Sequence, residues 1–169
     1  MKNLLPMLHK AKTSRLTLRC LNAALSLGIP FNRAHKFKIA SVEDDAVTCF
    51  APNIRKNHNH LRGVHACGIA TVGEFSAGMT LMLKFSPEKY RVIMSQLEVK
   101  YHYQGRQDLL ARSEISLDLL DALLLQLQEQ DSINHAVITE VHDQEQNHVA
   151  SITTHWQIKP WTKVKLKKA

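Results

Sequence analysis

At 169 residues, with 44% hydrophobic and 22% charged side chains, the sequence describes one domain large enough to bury a core, spanning 1–169. Three cysteines, Cys20, Cys49 and Cys67, form no CxxC spacing and leave one over, which argues against a disulfide scaffold and points to free thiols in the cytoplasm, with Cys20 and Cys49 expected as small core residues. The net charge of +7 sits at the ends: residues 1–42 carry eight Lys and Arg and no acid and residues 159–169 five Lys, whereas residues 43–158 set nine bases against all fifteen acids.

The opening Leu4–Leu8 cluster, broken by Pro6, is too short for a secretory signal. A helix is expected over about 13–28, with Leu18, Leu21 and Leu25 on its inner face, Arg15 and Arg19 outward, and Gly28–Ile29–Pro30 as its stop. Its acid-free, basic character also resembles a transit peptide or an interfacial helix. The core, about 36–160, then begins with a period of two. Phe37, Ile39 and Ser41 face one way, Glu43–Asp45 turns the chain, and Val47, Cys49 and Ala51 return. A polar segment follows, and from Val64 to Leu83 comes a helix apolar or small on nearly every side, hence buried. Leu97, Val99, Tyr101 and Tyr103 alternate as a half-buried strand, and Leu109 to Ile115 continue beyond a turn. Ser116 caps a short amphipathic helix to Gln130, and two strands, around Ala136–Val141 and Val149–Ile158, close the chain before a basic tail over 161–169. Strands grouped around one buried helix make an α+β domain, an antiparallel sheet curled about that helix.

The chemistry is concentrated between Asn59 and Glu74. Glu74 is the single charge in the buried helix, and a carboxylate in apolar surroundings needs a partner or a task. The helix start offers unpaired N–H groups at His65, Ala66 and Cys67, aimed where an acyl oxyanion can be stabilised. Glu74 lies nine residues after His65, about 900° around the helix and roughly 13 Å along it. One copy cannot turn both ends on one carbonyl, so a shared reaction requires the acid of a second subunit, and a two-fold dimer then holds two equivalent sites.

The run Asn59–x5–His65–Ala66–Cys67–x6–Glu74 resembles the signature of hotdog-fold thioesterases of the phenylacetyl-CoA and 4-hydroxybenzoyl-CoA type. With Asn59–His60, Gly63–Val64–His65–Ala66, Glu74 and Ser76–Ala77–Gly78, it is most similar to a DUF4442-like bacterial branch. The resemblance spans roughly residues 14–160 and ends in Trp156–Pro160. It implies a hotdog fold, a dimer or dimer of dimers, and an acyl-CoA or acyl-carrier-protein substrate, with coenzyme A entering only as part of that substrate and no cofactor or metal. It also implies that Glu74 activates water or attacks the thioester, that the Ala66 N–H polarises the carbonyl, that Asn59 positions water or carbonyl, and that His65 orients the loop and leaving group. His60, Gly63, Cys67 and Arg62 would border the substrate, and Arg62, Lys84, Arg91 and Arg106 are candidates for the phosphates. Two departures stand out: the family's Gly-Gly is Ala66–Cys67 here, and the acid is Glu rather than Asp.

Four rivals are weighed against this. A hydratase or dehydratase would pair His60 with Glu74, fourteen residues apart, but lacks the Pro-Gly-Val-Leu run of those enzymes. Zinc at His58, His60, His65 and Cys67 has the right ligand types and poorly convergent spacing. A non-catalytic acyl-binding dimer would account for Ala66–Cys67. The basic ends suit a polyanion, whether nucleic acid, membrane surface or nucleotide phosphates, or plain solvation; with no helix-turn-helix, zinc finger or aromatic platform, nucleic acid is set aside. No apolar run escapes interruption for about 20 residues, so stable membrane insertion is not expected.

Overall fold

A computed structural model describes residues 4–164, so most of the expected basic tail, from 165 on, lies outside the described residues. Three helices lead the chain where one was expected. α1 (Leu4–Ala11) buries Leu8 and Ala11, and Pro6 falls in its first turn, where a missing N–H breaks no helical bond. α2 (Arg15–Gly28) starts at Ser14, whose hydroxyl accepts the Thr17 N–H at 3.2 Å, and turns Leu21 and Leu25 inward. Pro30 does more than stop α2: it opens α3 (Pro30–His35), which Lys36 ends in the left-handed region at φ 57°. Cys20, expected in the core, is exposed on α2, whereas Cys49 is buried.

β1 (Lys38–Val42) and β2 (Ala46–Ala51) form the expected hairpin with one difference. A bulge between Ile39 and Ser41 shifts the alternation by one residue, so Val42 rather than Ser41 joins Phe37 and Ile39 in the core. α4 (Ala66–Lys84) follows, then β3 (Tyr90–Tyr101), β4 (Leu109–Glu114), α5 (Leu117–Glu129), β5 (Ile133–Asp143) and β6 (His148–Pro160). β3 begins at Tyr90, earlier than its alternation suggests, because a register shift between Met94 and Gln96 breaks the period; Tyr103 lies beyond its end. Among the described residues all pairings are antiparallel, in one six-stranded sheet ordered β1-β2-β4-β5-β6-β3.

α4 lies against the inner face of this sheet, in contact with β2, β4, β5 and β6. It has the length and hydropathy of a membrane span, but its apolar faces are already covered by the domain. Its seating is polar as well as apolar. Ser76 donates to the Val47 carbonyl at 2.8 Å and accepts from Ser113 at 3.0 Å, Ser113 in turn accepts from Thr139 at 2.6 Å, and the Thr139 hydroxyl also lies 3.2 Å from the Gly73 carbonyl. Gly73 is where helix and sheet come closest: a β-carbon there would lie 2.1 Å from Ile152 Cδ1 and 3.1 Å from Ile152 Cβ.

The two sheet edges are treated differently. On β1 the Asn22 side chain of α2 both donates to the Ile39 carbonyl (2.9 Å) and accepts the Ile39 N–H (2.8 Å), occupying that edge with helix. β3, the opposite edge, offers twelve residues with Ile93, Met94 and Tyr101 exposed and no strand beyond them among the described residues.

Ala at a helix-interior glycine normally stabilises by about 1 kcal/mol. At Gly73 the sign is expected to reverse: Gly73→Ala should lose about 1–3 kcal/mol in urea unfolding. Adding Ile152→Val, which removes the closest atom, should cost less than the sum of the two single changes.

Candidate active site

The segment between β2 and α4 is held by an asparagine that the pattern reading passed over. Asn57 closes a short 3-10 turn (Arg55–Asn57) and is buried. Its amide donates to the carbonyls of His35 (3.0 Å) and Pro52 (2.8 Å), and its side-chain oxygen meets His35 Nδ1 at 2.8 Å. Its own carbonyl accepts the His65 N–H at 2.7 Å. The clue in the sequence was the alternation Asn57–His58–Asn59–His60, in which the first asparagine follows no apolar period and still falls inside.

Asn59, expected to touch substrate, is the hinge of the next turn. Its side-chain oxygen accepts the N–H groups of Leu61 (2.9 Å) and Gly63 (3.1 Å), and its backbone N–H meets the Gly63 carbonyl at 2.8 Å. Arg62 completes the turn at φ 62°. Gly63 is pressed on the chain at Gly105, whose carbonyl would lie 3.0 Å from any β-carbon, and Val64 donates to that same carbonyl at 2.8 Å. His60 and Arg62 stand exposed on the turn. So Gly63 shapes the loop, while the Asn59 amide N–H groups have no acceptor among the described residues.

α4 starts at Ala66, one turn-forming step later than Val64, with His65 as its cap. His65 Nδ1 accepts the Cys67 N–H at 3.1 Å, which places the imidazole proton on Nε2. Of the three N–H groups expected free at the helix start, His65 and Cys67 are therefore engaged. Ala66 remains, and Gly68 joins it, neither with an acceptor among the described residues. His65, Ala66 and Cys67 are all exposed, and the Tyr101 hydroxyl donates to the Ala66 carbonyl at 2.9 Å, tying the helix start to edge strand β3.

Glu74 lies two turns along, on the face shared by Cys67 and Thr71 and about 12 Å from Ala66. Its carboxyl is not sealed inside. It opens into an apolar cleft of about 640 Å³ whose walls include Phe31, Gly78, Met79, Trp156 and Trp161. Among the described residues it has no hydrogen bond or ion pair, and burial pushes its pKa above the ordinary glutamate value. Arg91 borders the cleft, but its guanidinium is bonded to Gln157 at 2.9 Å. Lys84 sits near Asp44 and Asp45, and Arg106 is bonded to Gln104 at 2.9 Å, so neither faces the acid. One chain thus gathers Asn59, Gly63, His65, Ala66 and Cys67 at one end of α4 and sets Glu74 apart from them.

The family described as "Domain of unknown function (DUF4442)" matches residues 17–158. No curated protein matches the chain. Among solved structures, a Pseudomonas aeruginosa protein of unknown function, described as a probable thioesterase, is 15% identical with a TM-score of 0.77, covering 82% of this chain and 93% of its own. A Haemophilus influenzae thioesterase is 12% identical with a TM-score of 0.69 (89% and 95%), and a mutant Staphylococcus aureus thioesterase 14% identical with a TM-score of 0.63 (78% and 99%). At these identities the likeness fixes the fold: a hotdog, the curled sheet wrapped around α4.

The raised pKa of Glu74 has a signature in stability. As pH rises, the unfolded chain loses this proton at the ordinary glutamate pKa and the folded chain only at the higher one, so between the two the folded state binds more protons and stability falls with pH. Glu74→Gln should remove that slope and melt at a higher temperature than wild type above the window, with the two converging at acid pH; thermal melts against pH check this.

Proposed function

We propose that this chain, which belongs to the DUF4442 family, hydrolyses acyl thioesters at a site built from two copies of the hotdog domain. The observation that carries the reading is the unpaired Glu74 carboxyl, held above its ordinary pKa in an apolar cleft large enough for an acyl group. The long uncovered edge of β3 supports the second copy, since pairing β3 with its symmetry mate across a two-fold axis removes that edge and buries Ile93 and Met94.

In this arrangement Glu74 of one protomer takes a proton from water as the water oxygen attacks the thioester carbon. The oxyanion forms against the Ala66 N–H of the other protomer, where the helix dipole favours negative charge. Collapse breaks the carbon–sulfur bond, and Glu74 returns its proton to the thiolate. The free Asn59 amide suits the water or the carbonyl, and the outward His65 Nε2–H suits the leaving group. Coenzyme A or a carrier protein is part of the substrate, with exposed Arg62 and His60 flanking its approach. The exposed Ala66 and Cys67 side chains crowd that approach and favour the second reading, an acyl-binding dimer without turnover.

Release of free thiol from a panel of short, long and aromatic acyl-CoAs separates the two. Hydrolysis by wild type with a loss of about 10²–10⁴ in kcat for Glu74→Ala supports the enzyme. An inert wild type supports the binding protein, and full activity in Glu74→Ala removes Glu74 from the site. A sharper test uses Ala66→Pro. Proline is accepted at the first helical position and His65 before it is already extended (φ −61°, ψ 140°), so the change deletes one N–H with little strain. Ala66→Pro and Glu74→Gln should each be inactive alone. Co-expressed, half the dimers are mixed with one intact site of two, and about a quarter of wild-type activity should return; a site within one chain would recover nothing.

A further inference from the structure

α2 is apolar on two opposite faces, and the fold uses one. Leu18, Leu21 and Leu25 turn inward. Leu16, Cys20, Ala23 and Leu27 recur at i, i+4, i+7 and i+11, within about 60° of arc on the far side. All four are exposed, Leu16 by 71% and Leu27 by 74%. Arg15 and Arg19 flank this stripe. Beside them, between the start of α2 and strands β1 and β2, lies a cleft of about 800 Å³ whose lining includes Lys12, Arg15, Arg19 and Lys38 and no carboxylate. Lys12 is paired with Asp44 at 2.8 Å, and the Lys38 ammonium lies 4.8 Å above the Phe50 ring. Arg15, Arg19 and Lys38 have no carboxylate partner among the described residues.

We infer that this face of α2 docks on the surface of a bilayer rich in anionic phospholipid, the leucine stripe entering the headgroup boundary and the neighbouring cleft receiving a lipid phosphate. A helix with an apolar stripe and arginines at its margin binds such an interface through buried apolar area and attraction to acidic headgroups together. Charge complementarity points to an anionic occupant: residues 1–42 hold eight bases and no acid, and the cleft beside the stripe sets Arg15, Arg19 and Lys38 toward it without a carboxylate partner among the described residues. The helix lies on the surface and does not span it. Phe31, four residues past Leu27 and exposed, lines the Glu74 cleft, so docking sets that cleft close to the lipid. The inference stands apart from the hydrolase reading, since binding is measured without turnover.

Co-sedimentation of the full chain with phosphatidylcholine vesicles, with and without 30% phosphatidylglycerol, tests it. Wild type should bind the anionic vesicles at least tenfold more tightly than the neutral ones and weaken as salt rises. Leu16→Ser with Leu27→Ser, both on an exposed face, should lose binding at least tenfold with an unchanged melting temperature. Arg15→Gln with Arg19→Gln should abolish the preference for anionic lipid. No vesicle binding by wild type overturns the inference. So does self-association that the serine pair abolishes without any lipid effect, which would make the stripe a contact between copies. Binding of inorganic phosphate or a soluble nucleotide in the cleft without vesicle binding overturns it too.

Discussion

Ser76, Thr80, Ser113 and Thr139 are buried between α4 and the sheet, so each hydroxyl has to find its partner inside the protein. The chain of bonds from Thr139 through Ser113 and Ser76 to the Val47 carbonyl, with Thr80 donating to the Ser76 carbonyl, satisfies them at one depth and one rotation of the helix. A slip of one residue moves the helix by about 1.5 Å and 100° and strands the whole set, at about 1–3 kcal/mol for each unpaired group. Gly73 enforces the same position by sterics, since helix and sheet meet there with no room for a side chain. Glu74 follows Gly73 and precedes Ser76 by two residues, so fixing those two on the sheet turns the carboxylate away from it, into the cleft. The acid's location is a by-product of how the helix is pinned.

That geometry explains which parts of the site could be read from residues alone. α4 was legible because its apolar residues cover every side, and Glu74 because it interrupts them. The cap Ser116 was legible because it precedes an apolar period and its bond is local. What escaped depends on contacts distant in sequence. Asn57 is buried through His35, twenty-two residues away, and looks like any polar loop residue until that partner is placed. The bulge in β1 exchanges Ser41 for Val42 to suit the core, and no local preference announces it. Pro30 was taken as an end of helix and proved to be a beginning as well, since the same fixed φ serves both. Cys20 was assigned inward by residue type, although its place on α2, opposite Leu18 and Leu25, puts it outside.

The roles inside the loop were also redistributed. A residue that caps or closes a turn cannot at the same time offer that atom to a ligand. His65 spends Nδ1 on the Cys67 N–H, and Asn59 spends its oxygen on Leu61 and Gly63. What remains of each is a donor: Nε2–H from the histidine, the amide hydrogens from the asparagine, the backbone N–H groups of Ala66 and Gly68. The end of α4 is thus a surface of hydrogen-bond donors, and Glu74 is the nearest unengaged base on the same element. A donor-only surface and an isolated acceptor on one rod complement each other when two rods lie antiparallel.

The Tyr101 hydroxyl on the Ala66 carbonyl joins the outermost strand to the first peptide of the inner helix. On the proposed pairing, whatever docks against that strand presses through a single phenol on the group meant to hold the oxyanion. Subunits scattered by dilution would then be latent rather than merely separate, and the abundance of the protein would itself act as the throttle on its chemistry.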